Sequence, residues 1–129
     1  MVAAAAGAGL FLSMDGGASW TLDVHGLHAR YCSAVALCAD DLLVAASSDH
    51  FAAQGALYRR RIDQRGTLQP IAGLPRWLEG IVDTGGIASQ GACRAVVDGG
   101  GNLYRSADDG QTWVRQPGHV PGVSKLLFV

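Results

Sequence analysis

The chemistry open to this chain of 129 residues rests on few side chains: four histidines, a single glutamate (Glu79), nine arginines and three tryptophans. His25 and His28 lie three residues apart and, with His119, could offer imidazoles to a metal. No cysteine or carboxylate stands at a linked spacing, so no metal is expected. Hydrolysis of a glycosidic bond by acid and base usually takes two carboxylic acids, and one glutamate makes that pair hard to assemble. Cys32, Cys38 and Cys93 are odd in number and form no C-x-x-C. They read as small core residues in a reducing compartment, neither a disulfide framework nor a ligand set, and no cofactor is expected. A net charge of −1 argues against a general electrostatic grip on nucleic acid or on an anionic membrane. Recognition is what remains. His28, Arg30, Asp49, His50, Arg76, Trp77 and Glu79 combine donors, acceptors and one large aromatic surface, and these are the candidate ligand- or partner-binding residues.

Those residues fall between short apolar runs. The runs are Val2–Ala6, Gly9–Leu12, Ala34–Cys38, Leu42–Ala46, Ala56–Arg59, Cys93–Val97, Asn102–Arg105 and Ser124–Val129. Helical periodicity is never sustained for three turns, and 18 glycines against four prolines punctuate the runs. The pattern predicts an all-β fold. The opening "MVAAAAGAGLFLS" has no basic residue before its apolar stretch and continues directly into a polar motif. It reads as strand rather than export signal, which places the chain in the cytoplasm, with the periplasm as the alternative. No run approaches the length of a membrane-spanning helix.

The chain repeats itself. "GLFLSMDGGASW" aligns with "GNLYRSADDGQTW", and "GALYRRRIDQRGTL" lies between them. Phe11, Tyr58 and Tyr104 mark the same place in the three copies, spaced by 47 and then 46 residues. The middle copy has lost its Ser and Trp and keeps Asp63 and Gly66 in a longer turn. A period near 45 residues with about four strands per unit is the signature of propeller blades. The repeats occupy about residues 1–23 together with 123–129, then 33–71, then 83–116. The first strand of the last set is expected near Gly86–Ser89.

The polar motif has the form S-x-D-x-G-x-x-W: Ser13, Asp15, Gly17 and Trp20, then Ser106, Asp108, Gly110 and Trp113, with Thr112 in the second copy. It resembles the Asp-box, or BNR repeat, of sialidase-like β-propellers, and comes nearest to the photosystem II assembly-factor-like branch of that superfamily. The resemblance implies a hairpin turn between the third and fourth strands of a blade. The chemistry suits such a turn. A short carboxylate accepts hydrogen bonds from the turn's own N–H groups, and Gly17 and Gly110 take positive φ without a Cβ clash. Trp20 and Trp113 are expected to be buried beneath it. These residues are read as structural, neither catalytic nor calcium-binding.

In an antiparallel meander, alternate connections emerge on opposite faces. The Asp-boxes take one face. The other receives Val24–Tyr31, Ser47–Gly55, Ile71–Gly80, Asp98–Gly101 and Pro117–Gly122, and with them every histidine, Glu79 and Trp77. Loops on a rigid scaffold are where ligands bind. Sialidases, by the same resemblance, need three arginines on a carboxylate, a Tyr–Glu nucleophile and an acidic Asp. Tyr31 with Glu79 and Arg30 with Arg76 would be a thin substitute. The Arg59–Arg61 run with Arg65 reads as a solvated blade edge. The expected function is a non-catalytic binding or assembly module for a protein or glycan; the alternative is a glycoside-hydrolase relative with an altered site.

Counting gives twelve strands, three blades' worth, and closed propellers usually have about four to eight blades. An open arc would leave an apolar blade face bare at each end. A homodimer, in which Val123–Val129 of each chain completes the first blade of the other, would make a six-bladed ring. The rivals are a longer propeller of which this is a piece, or a different three-bladed partner.

Overall fold

The computed structural model describes residues 1–129. It contains no helix and folds as three antiparallel sheets in chain order. The first sheet holds β1 (Val2–Ala6), β2 (Gly9–Ser13) and β3 (Thr21–Asp23). The second holds β4 (Tyr31–Cys38), β5 (Asp41–Ser47), β6 (Gln54–Arg61) and β7 (Gln69–Pro70), with β8 (Leu78–Glu79) also pairing β6. The third holds β9 (Ile87–Gln90), β10 (Cys93–Val97), β11 (Leu103–Ser106) and β12 (Val114–Arg115). Apart from β8, each strand pairs with its chain neighbour within its sheet, so each sheet is a meander.

Strand pleat explains how one sheet serves two cores. In β5 successive side chains point to opposite faces. Leu42, Val44 and Ala46 join Leu10, Cys32, Tyr58 and Leu68 in a core between the first and second sheets. Leu43 and Ala45 join Ala34, Leu57, Val82, Val96 and Tyr104 in a core between the second and third. Being covered on both sides, β5 is buried throughout, which is why its sequence "DLLVAAS" is almost continuously apolar. Leu42, Leu43 and Val44 are each about fully buried, and each such side chain stabilises the fold by roughly 1.5–3 kcal/mol. Cys32 and Cys38 are buried, and burial pushes the Cys32 thiol up to about 11, so it packs as an apolar residue and is a poor nucleophile.

Three expectations change. Val123–Val129 forms no strand: it makes one isolated parallel bridge, Lys125 to Gly85. Its apolar residues meet no sheet edge in the single chain. Trp20 stays 44 % exposed, because the small first sheet offers little beneath its turn, whereas Trp113 packs against the core between the second and third sheets. The arginine run is ion-paired. Arg59 meets Asp41 at 2.9 Å, Arg60 meets Asp23 at 2.6 Å and Arg61 meets Asp63 at 3.1 Å. The Arg60–Asp23 pair ties the second sheet to the first.

Candidate functional site

The two S-x-D-x-G-x-x-W motifs adopt the same hydrogen-bond pattern. In the first, Ser13 Oγ donates to Asp15 Oδ1 at 2.8 Å and accepts from Gly17 N–H, while Ser19 N–H donates to Asp15 Oδ1 at 2.9 Å. In the second, Ser106 Oγ donates to Asp108 Oδ1 at 2.8 Å and accepts from Gly110 N–H, while Thr112 N–H donates to Asp108 Oδ1 at 2.9 Å. The Trp20 and Trp113 indoles donate to the Gly17 and Gly110 carbonyls. Gly17 (φ 100°) and Gly110 (φ 77°) hold backbone conformations that a Cβ would strain. The hydroxyl of Thr112, then its N–H, holds the Asp108 carboxyl down at about 2; the Ser19 hydroxyl and N–H lower Asp15 in the same way. Each carboxylate spends its acceptors inside its own turn.

The loop residues sort into separate groups. The largest forms around the Tyr58 hydroxyl, which lies at the end of a fully buried side chain on β6. His28 N–H donates to that oxygen at 3.1 Å, Arg76 Nη2 donates at 3.3 Å, and the hydroxyl shares a 2.6 Å hydrogen bond with His28 Nδ1. Burial, and then the Arg76 charge, lower the His28 pKa and favour the neutral imidazole. The Arg76 guanidinium lies 4.1 Å from the Trp77 ring centroid, and the His28 ring meets Trp77 edge-on at 4.8 Å. Trp77 remains 41 % exposed. A buried tyrosine thus orders an exposed His–Arg–Trp surface, with no carboxylate within ion-pair distance of Arg76.

Tyr31 and His50 make a second group, with a Tyr31 hydroxyl to His50 Nδ1 contact of 3.2 Å and the exposed Phe51 ring edge-on to His50. Glu79 belongs to a third. Its Oε2 accepts from Asn102 Nδ2 at 3.1 Å, and Asn102 also donates to Asp98 and accepts from Arg115. A Cβ on Gly100 would come within 2.4 Å of the Glu79 carboxyl, so a side chain there would displace that carboxylate. Asp49 caps its own turn by accepting from Phe51 N–H at 2.7 Å. Arg30 is exposed and outside all three groups.

Of the seven candidates, then, His28, Arg76 and Trp77 converge; His50, Asp49, Glu79 and Arg30 stand elsewhere. Tyr31 meets His50, and Glu79 meets Asn102, so a Tyr31–Glu79 pair does not form. Sequence reasoning used Tyr58 only as a marker of the repeat and missed its hydroxyl, which Tyr104 shares at the same repeat position and Phe11 lacks. Comparison with family models, with curated proteins and with solved structures finds no match to this chain.

Proposed function

We propose that this chain is a β-propeller module of the Asp-box type that binds a protein or glycan through its loop face and performs no catalysis. Three blades per chain require completion, and a second copy supplies it. The observation that carries the binding reading is the His28–Arg76–Trp77 surface ordered by Tyr58. A partly exposed tryptophan stacked on an arginine is the kind of anchor that dominates interface energetics. The carboxylates of the face favour binding over hydrolysis. Glu79 and Asp98 share Asn102 and, like Asp49, are held in loop hydrogen bonds, so their acceptors serve the loops rather than general acid–base work.

The test uses two proteins side by side, wild type and Trp77→Ala, on a glycan array and as baits for cross-linked partners. Binding that disappears in Trp77→Ala while the circular dichroism spectrum is unchanged supports the reading. Equal binding by both proteins overturns the assignment of the surface, and turnover of a fluorogenic glycoside by the wild type overturns the non-catalytic reading.

A further inference from the structure

The three sheets can be laid over one another by their registers. Val2, Leu42 and Arg94 face Ser13, Arg60 and Ser106 across the next strand; Ala4, Val44 and Val96 face Phe11, Tyr58 and Tyr104. In the second and third sheets those same residues have a strand on their other edge. Leu37 pairs Leu42 and Val35 pairs Val44; Ser89 pairs Arg94 and Ile87 pairs Val96. β1 has no such neighbour, and its outer edge carries free N–H and C=O groups.

The faces repeat the asymmetry. Ala3, Ala5 and Leu10 pack toward the second sheet, and their equivalents Leu43, Ala45 and Leu57 pack toward the third. The next set, Ala95, Val97 and Leu103, belongs to neither core, although Ala95 and Val97 are already buried within the chain. Looking the other way, Val44 with Tyr58 and Val96 with Tyr104 each pack on the preceding sheet, while Ala4 and Phe11 have none. One end of the stack therefore presents the forward half of an inter-sheet core and the other end presents the backward half. The second sheet stands between them, so one chain cannot join its own ends.

A strand is also spare. Ser124, Leu126 and Phe128 match Ser33, Val35 and Leu37 of β4, while Lys125 stands where Ala34 is buried. It leaves the third sheet alongside Gly85, in the parallel sense, with Leu126 N–H donating to Gly85 O at 2.8 Å. Leu127 is 69 % exposed.

We infer that two copies exchange this segment. Ser124–Phe128 of each pairs antiparallel with β1 of the other, with Leu126 opposite Ala4 and Phe128 opposite Val2, as Val35 lies opposite Val44 and Leu37 opposite Leu42. The third sheet of each copy then packs on the first sheet of the other. Two identical head-to-tail contacts related by a two-fold axis close the ring and leave no sheet edge of this kind open. The inference rests on the dimeric completion proposed above and adds its register.

Paired cysteines test it. Ala4→Cys/Leu126→Cys is oxidised and run on a non-reducing gel, beside Ala4→Cys/Leu127→Cys and the wild type. A slip of one residue turns the side chain to the opposite face, where a disulfide cannot close. The expected result is a covalent dimer for the in-register variant only. Val2→Cys/Phe128→Cys is the second in-register pair, in case the first does not fold. Dimers in light scattering that cross-link in neither in-register variant, or only in the slipped one, overturn the register while leaving dimeric completion standing. A monomer in light scattering overturns both.

Discussion

Asp41→Asn should damage this fold far more than Arg94→Met, although the two residues share one buried ion pair. Arg94 Nη2 donates to Asp41 Oδ2 at 2.8 Å, with side chains only 2 % and 5 % exposed. The partners are not equally dependent. Asp41 keeps a second cation, Arg59, at 2.9 Å on the same oxygen. Without Asp41, Arg94 keeps only a long 3.4 Å bond to the Cys38 carbonyl and the half-exposed Asp109 at 3.6 Å, and its Nε and Nη1 already lack any partner. Stranding a buried charge costs about 3–5 kcal/mol. Removing Arg94 strands nothing and takes away two unpaired buried donors, each a burden of about 1–3 kcal/mol, so Arg94→Met should cost under about 2 kcal/mol. Leu42 fills the equivalent place in β5, so an apolar side chain suits the position. Urea unfolding at pH 7 measures both. With a slope of about 2 kcal/mol per molar, Asp41→Asn lowers the midpoint by about 2 M and Arg94→Met by under about 1 M. Protein concentration must be matched, since association shifts apparent stability. Equal losses, or a larger loss for Arg94→Met, would refute the reasoning.

The Asp108 carboxyl is lowered from 3.8 to about 2 in the fold, so its contribution is complete above pH 4 and is lost as pH falls toward 2. Asp108→Ala should therefore melt lower at neutral pH and show a flatter acid limb between those values in a thermal series. Arg76→Gln should raise the His28 pKa only part of the way to its ordinary value, because burial outweighs the Arg76 charge; histidine NMR titration reads it, and no upward movement contradicts the cluster. Tyr58→Phe should move the His28 ring resonances and cost roughly 1–2 kcal/mol, because water can reach the exposed His28 and Arg76 and replace part of what the hydroxyl supplied.

The sheets were largely legible because their signals are local. Short apolar runs and turn residues marked β1, β5 and β10 closely, and the repeat placed the next inner strand at Gly86–Ser89, one residue from the observed β9 at Ile87–Gln90. The two S-x-D-x-G-x-x-W turns were legible for the same reason, since every bond in them spans four residues or fewer. Long-range partnerships were not. The Arg60–Asp23 and Arg94–Asp41 pairs join different sheets across 37 and 53 residues, so the arginine run read as solvated when it is clamped. The site failed in the same way. Glu79 and Trp77 are near neighbours in sequence, yet one turns to Asn102 and the other to His28. β8 was missed because Leu78–Glu79 is a two-residue pairing to β6 with no pattern of its own.

The central claim is that three sheets are half of a ring, and the mass of the particle in solution tests it most directly. Light scattering on the purified chain should give twice the 13.4 kDa chain mass, unchanged on dilution through the micromolar range. Deleting residues 124–129 should abolish that dimer. A stable, well-folded monomer of 13.4 kDa, with β1 and its outward face left to solvent, would contradict the account.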